Sequence, residues 1–300
     1  MSLFDKALCM ALPQVPTALM RRLASRYIAG ETLVEALGRM GELARDGYPS
    51  IIDILGEDVT SPEAAREVME RYEEAARAVA LRGLDVYVSI KPTHLGLRIS
   101  ERTALEGYTR VAQRCRELGL FVRVEMEDHT TTDATLRLFE ELRKSFDNVG
   151  IVLQSRLLRT PSDIRRLAPG PLDVRMVKGI YLEPGSIAYE EPEPIRRAYA
   201  ECARMLAERG ARIRFATHDS LLAGELIDCV RELGWGPDRY EFEVLLGVRE
   251  DLWQRWRAAG QRVRVYVPYG PEWRPYSLRR MRKNPEILRH VIRQTLSFGK

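Results

Sequence analysis

Short β-rich runs, eight of them, alternate with amphipathic helical stretches along this 300-residue chain, and no G-x-G-x-x-G occurs anywhere in it. Such alternation predicts a parallel α/β fold. Eight repeats is the count of a (βα)8 barrel, whose usual size is ~250 residues. The alternative, a doubly wound open sheet, would carry a nucleotide on a glycine-rich turn after its first strand, and that turn is missing. The expected architecture is therefore an α/β barrel of eight strands.

Taken in order, residues 5–45 read as helices lying before the first strand. The expected division is a helical arm over 1–45 and a barrel over 46–300. Strands are predicted at 51–54, 86–90, 121–124, 149–153, 174–177, 213–216, 240–245 and 263–267. Helix 61–81 opens on Ser61, Pro62 and Glu63, a cap residue, a proline that fits the first turn and an acid that suits the helix dipole. Ser100 and Glu101 open 100–118 in the same way. A Thr/Asp-rich start precedes 132–144, and 193–209, 220–233 and 249–259 complete the set. Gly83, Gly119, Gly210, Gly234 and Gly260 stand where helices stop. After the eighth strand Pro268 and Gly270 turn the chain into a last helix carrying Trp273, Tyr276 and the pair Arg279-Arg280. The chain shows no internal repeat, low-complexity tract or long linker.

Composition excludes several classes. The formal net charge is +4 with acids and bases interspersed, too mild to imply nucleic-acid binding. No run approaches the ~20 apolar residues of a membrane span. The start of the chain lacks the basic flank and apolar run of a secretory signal. The four cysteines are scattered, with no CxxC, which fits a reducing cytoplasm. The four histidines show no metal-binding spacing, so no metal site is expected.

Binding and catalysis in a barrel collect at the C-terminal ends of its strands. Those ends carry Glu57; Lys91, Thr93 and His94; Glu125, Met126, Glu127 and Asp128; Gln154 and Arg156; Lys178 and Gly179; Thr217 and His218; Glu243 and Leu245; and Tyr266. Nearly every strand hands a polar group to one face, which a purely structural barrel does not need. Arg175 alternates inward in an apolar strand and requires an anionic or electron-rich partner, Glu125 or Glu127 if that partner is internal. Lys178-Gly179 joins a cation to a residue that permits close backbone approach, which suits phosphate. Met126, Ile180, Leu245 and Tyr266 supply apolar wall, which also fits ordinary barrel packing. On a helix, Arg279 and Arg280 both lie beside Tyr276. Two anion-binding zones result: Lys91 with Arg279 and Arg280, and Lys178-Gly179 with its neighbours. A phosphate-bearing cofactor and a small carboxylate substrate would use both.

Taken together, Ser89-Ile90-Lys91, Met126-Glu127-Asp128, 175–181 (RMVKGIY), 215–218 (FATH) and 264–270 (RVYVPYG) through Arg279-Arg280 resemble bacterial monofunctional proline dehydrogenases and the matching domain of bifunctional proline utilisation proteins. The resemblance runs from about Ile51 to the end. It implies a distorted (βα)8 barrel with non-covalent FAD and a C-terminal helix over its mouth. It implies that Arg279 and Arg280 bind the proline carboxylate with Lys91. Leu245, Tyr266 and Tyr276 would line the substrate, and Arg175 would lie near flavin N5, with Glu125 beside it. Met126, Gln154, Val177, Lys178, Gly179, Ile180, Thr217 and His218 would contact FAD. The implied reaction oxidises L-proline to 1-pyrroline-5-carboxylate by hydride transfer to N5, with electrons passed to a membrane quinone. A separate 1-pyrroline-5-carboxylate dehydrogenase is an implied partner, and a cytoplasmic location, peripheral on the inner face of the membrane, an implied setting.

Four residues depart from the family's pattern as the resemblance has it. Glu125 replaces an aspartate, Glu243 a glutamine, and Lys283 a glutamate near the arginine pair. Pro92 biases Lys91 toward an extended conformation. These departures leave two alternatives open, a different cyclic or N-alkyl amino acid as substrate, or a proline-binding relative without catalysis.

Overall fold

The computed structural model describes residues 17–236 and 238–283; the side chains of residues 18, 19, 22, 23 and 279–283 are not among those described. Strands β1 (Ser50–Ile54), β2 (Val86–Ile90), β3 (Val122–Val124), β4 (Val149–Gln154), β5 (Asp173–Val177), β6 (Arg212–Ala216), β7 (Tyr240–Leu245) and β8 (Val263–Tyr269) pair in parallel in chain order. β8 returns to β1 and closes the barrel. All eight expected strands form, β2 and β7 at the expected bounds and the others with ends displaced by at most two residues.

Helices α1 (Thr17–Ala24) and α2 (Leu33–Arg45) precede β1. α3 (Pro62–Leu81), α4 (Glu101–Glu117), α5 (Thr132–Leu142), α6 (Thr160–Arg166), α7 (Pro192–Glu208), α8 (Ser220–Glu232) and α9 (Glu250–Ala258) each follow one strand, and α10 (Trp273–Lys283) follows β8. Ser61 caps α3 by accepting from the Ala64 amide at 3.2 Å, and Ser100 caps α4 by accepting from the Thr103 amide at 3.0 Å. The glycines expected to stop helices take left-handed φ, as Gly83 does at +61°. Helix α6 has no counterpart in the sequence reading. It is short and charged, and the Arg159 Nε contact to Asp163 at 2.7 Å spans its first turn.

Strand alternation sends apolar side chains outward and polar ones inward. Ile52, Ile54, Val88, Ile90, Val124, Ile151, Val174, Met176, Phe215, Val244 and Val265 belong to one buried apolar cluster with the helices that cover the barrel. The inner positions are largely ionic, although barrel interiors usually fill with branched apolar residues. Register places Arg175 beside Arg214, Arg214 beside Glu241, and Glu243 beside Arg264. In the lower half, Arg123 pairs with Asp173, which also accepts from Arg214 at 2.9 Å. Glu241, fully buried, takes Arg264 at 2.7 Å, Arg214 at 3.0 Å and Arg262 at 3.0 Å. Each buried charge loses several kcal/mol of solvation, so the pairing is what makes this interior tenable.

A second, smaller cluster lies at the C-terminal rim. Met20 and Ala24 of α1, Tyr27, Ile28, Leu55 just beyond β1, and Trp273 of α10 are packed together. The end of the N-terminal arm is pinned there by Ala29 donating to the Pro268 carbonyl at 2.9 Å.

Candidate active site

The mouth of the barrel divides into two halves joined by a floor. The floor is Arg175, with only 3% of its surface exposed. Its Nε donates to Glu243 at 2.6 Å, one terminal nitrogen donates to Glu125, and the other donates to the Tyr87 hydroxyl at 2.7 Å. Tyr87 in turn donates to the second oxygen of Glu243 at 2.6 Å, and the Ser89 hydroxyl donates to Glu125. The guanidinium also lies 5.3 Å from the centre of the Tyr266 ring. These partners hold Arg175 protonated far into the alkaline range despite its burial. Glu125 is thus the internal partner of Arg175, joined by Glu243. Glu127 is engaged elsewhere, accepting from the Thr93 amide at 2.9 Å and the Thr93 hydroxyl at 2.7 Å. Burial nonetheless lifts its pKa above the ordinary carboxylate value.

One half spans β7, β8, β1 and β2. Leu245 and Tyr266 face each other in register. Lys91 leaves β2 extended, at φ −83° and ψ 133°, and the chain enters a 3-10 turn at Pro92, as the proline requires. Its ammonium donates to the Gly56 carbonyl at 3.2 Å and to Glu57 at 3.3 Å. Burial lowers the pKa of Lys91, but Asp53 and Glu57 more than offset it, and the amine stays charged. Asp53, on the inner side of β1, was not among the residues the sequence singled out. It is 1% exposed, and neither carboxylate oxygen has a partner at hydrogen-bonding geometry. Burial pushes its pKa up to about 7 against the pull of Lys91. An acid in the run Ile51-Ile52-Asp53-Ile54 was the available signal.

The other half spans β4, β5 and β6. The Gln154 amide donates to the Glu127 carbonyl at 2.6 Å. Val177 closes β5 and Lys178 lies just beyond it, and Gly179 follows at φ +99°, where a Cβ would lie 2.6 Å from the Gln154 side-chain oxygen. Both constraints demand glycine there. Lys178 and Arg196 share Asp219, whose pKa they bring to about 2 against the effect of burial. The Thr217 hydroxyl accepts from the Asp219 amide at 3.1 Å, and His218 Nε2 accepts from the Leu245 amide at 3.0 Å, linking the two halves. Met126 is buried, whereas Ile180 is 66% exposed at the rim. The buried Nε of Arg156, beside this half, lacks a partner.

Tyr276 lies on α10 against the rim cluster. The same helix carries Arg279, Arg280 and Lys283, whose side chains lie outside the described residues. Among the described residues no group of three or more His, Cys, Asp or Glu side chains is arranged to hold a metal ion, and no helix is long and apolar enough to cross a membrane.

A closed parallel barrel with charged and polar groups converging at the C-terminal strand ends defines a (βα)8-barrel enzyme. The family model for proline dehydrogenase matches residues 36–292, and the chain belongs to that family of oxidoreductases. It is 36% identical over 282 residues to proline dehydrogenase of Deinococcus radiodurans, an alignment covering 92% of this chain and 91% of that protein. It is 30% identical over 273 residues to proline dehydrogenase 1 of Bacillus subtilis, covering 91% and 90%. Among solved structures, proline utilization A from Bdellovibrio bacteriovorus inactivated by N-propargylglycine superposes with a TM-score of 0.78 at 24% identity. That match covers 86% of this chain and 32% of the longer protein, and it concerns the fold.

Proposed function

We propose that this protein oxidises L-proline to 1-pyrroline-5-carboxylate with FAD as its cofactor. The observation that carries the reading is the family match across the whole barrel, residues 36–292. Lys91, Arg279 and Arg280 hold the substrate carboxylate, for which arginine's paired donors are suited. Leu245, Tyr266 and Tyr276 form the wall against the ring. Fixing the ring in this way supplies much of the catalysis through orientation.

The donor set of the β4–β6 half fits a phosphate-bearing flavin. Lys178 is a cation at a strand end, Gly179 admits close backbone approach, and the orphaned Arg156 Nε is a buried donor lacking an acceptor. Met126, Gln154, Val177, Ile180, Thr217 and His218 complete the set that would hold it. Bound there, the flavin would supply the two-electron acceptor for a hydride from the ring carbon beside nitrogen. Arg175, steadied by Glu125, supplies positive charge where the reduced cofactor gathers negative charge. Electrons then pass to a quinone, which sets the protein in the cytoplasm against the inner face of the membrane. The product passes to a separate 1-pyrroline-5-carboxylate dehydrogenase.

An anaerobic visible spectrum, taken before and after adding L-proline, tests this. The expected result is a yellow protein that bleaches. A yellow protein that stays oxidised would transfer the site to another amino acid or to binding alone. A colourless protein that takes up no FAD would end the flavin reading.

A further inference from the structure

We propose that Asp53 is a catalytic base, its carboxylate receiving the proton that leaves the substrate's ring nitrogen during oxidation. The inference rests on the reading above, that a cyclic secondary amine is oxidised in this site.

A buried carboxylate without a hydrogen-bond partner forfeits its solvation with no return, and native structures rarely keep one without a use. The other inward carboxylates are already engaged. Glu125 accepts from Arg175 and Ser89, Glu243 from Arg175 and Tyr87, Glu127 from Thr93, and Glu57 pairs with Lys91. Among the described residues, Asp53 is the carboxylate whose two oxygens are both buried and make no hydrogen bond of close geometry, the Tyr266 hydroxyl acting on it only as a looser donor.

Its position matches the need. Asp53 lies in register with Ser89 on β2 and Pro268 on β8, in the half of the mouth that holds Lys91 and Tyr266. The groups acting on it are Lys91 just beyond β2, Glu125 just beyond β3, the Tyr266 hydroxyl of β8 as a hydrogen-bond donor, and Arg175 of β5. Tyr269 of β8 and Tyr72 of α3 also feel its charge. Burial raises its pKa and Lys91 pulls it back, which leaves it at about 7, near the value that serves a general base in neutral solution.

Proline enters as a ring ammonium with two N–H bonds. One proton passes from nitrogen to an Asp53 oxygen, exposing the nitrogen lone pair. That pair becomes the second bond of C=N as hydride leaves the neighbouring carbon for the flavin. The product departs as the protonated imine, and Asp53 then releases its proton.

The test uses FAD-loaded holoenzyme and the anaerobic rate of flavin bleaching by L-proline across pH. Wild type should show a rate that rises with pH through an inflection near 7. Asp53→Asn, of the same size, should lose that inflection and slow by about 100-fold or more at alkaline pH. It should bind cyclopentanecarboxylate, which has the ring and the acid but no nitrogen, as tightly as wild type does. Asp53→Glu, the control should the Asn variant not fold, should keep an inflection at a displaced pH. An Asn variant that keeps the inflection, or that loses proline and cyclopentanecarboxylate alike, would overturn the assignment and leave Asp53 as a support for Lys91. So would an Asp53→Glu variant with a flat profile. Wild type that proline does not bleach would instead remove the reading beneath it.

Discussion

Arg175 on β5 and Glu243 on β7 are joined by a 2.6 Å hydrogen bond inside the barrel, and Glu125 closes on the same guanidinium from β3. One cation therefore faces two carboxylates in a space almost closed to water. Removing the cation leaves two buried anions facing each other, so Arg175→Met should destabilise the fold by about 3–5 kcal/mol. Glu243→Gln should cost much less, because an amide oxygen still accepts from Arg175 or Tyr87. Urea denaturation of the two variants measures the gap, and equal losses would mean that the charge of Glu243 matters as much as that of Arg175. In FAD-loaded protein Glu243→Gln should also raise the flavin midpoint potential, since it strips a negative charge from the floor. A rise on the order of 30 mV corresponds to about 1.4 kcal/mol for a two-electron couple.

The lower half of the barrel yields a prediction of a different kind. Glu241, fully buried, pairs with Arg214, Arg262 and Arg264 at 2.7 to 3.0 Å, sharing their charge with Asp173 and Asp85. Glu241→Gln leaves these arginines short of an anion and should destabilise by about 3–5 kcal/mol. The mouth lies at the other end of the strands, so turnover per folded molecule should hold. Thermal melts paired with activity corrected for folded fraction check this. A specific activity that fell in step with stability would couple the two ends of the barrel.

His94 and Asp53 oppose one another in the dependence of stability on pH. His94, buried against Tyr72 and near Lys91, has its pKa pushed down to about 3 by burial and then by Lys91 and Arg71. Unfolded histidine titrates near about 6.5, so below that pH the unfolded chain takes a proton that the fold refuses, and stability falls by about 1.4 kcal/mol per pH unit. Asp53 runs the other way. Its folded pKa of about 7 lies above the unfolded value, so the fold keeps a proton that the unfolded chain has lost, and stability falls as pH rises. From about pH 4 to 6.5 the two slopes cancel. Relative to wild type, Asp53→Asn should therefore gain stability with rising pH across that window, and His94→Gln should lose it. Denaturation midpoints at several pH values read both slopes, and parallel curves for all three proteins would refute the opposition.

Much of this was legible in the sequence because it follows from periodicity. The apolar runs, the caps at Ser61 and Ser100 and the glycine stops are local signals, and they fixed the barrel before any contact was known. Arg175 stood out because an arginine in an apolar strand must find an anion, and Glu125 proved to be one. The second anion, Glu243, lies 68 residues further along the chain, and only closure of the barrel brings it near. Glu127 and Glu125 were equal candidates by sequence, since two residues apart on an extended chain they face the same way; Thr93 decides between them. Asp53 carried the same kind of signal as Arg175, a charged residue in an apolar strand, and was overlooked; what residue type and spacing do not encode is that barrel closure leaves it without a close partner. Helix α6 escaped for a simpler reason, being too short to show a helical period.

The arginine pair on α10 carries the last prediction. Tyr276 and Arg280 stand four residues apart in the sequence of α10, one helical turn. The helix itself is anchored by Trp273, 6% exposed, which packs with Met20 and Ala24 of α1 and with Leu55 beyond β1. That anchor is built from apolar side chains, so Arg280→Met should leave the helix docked and FAD bound. Its loss should fall on the carboxylate. A charge-assisted hydrogen bond of this type contributes about 1.5–3 kcal/mol, so the Michaelis constant for L-proline should rise by about 10-fold or more. Steady-state kinetics with an artificial electron acceptor, alongside flavin content, makes the measurement. Unchanged proline kinetics would remove Arg280 from the substrate grip, and loss of flavin together with activity would place it among the residues that hold the cofactor.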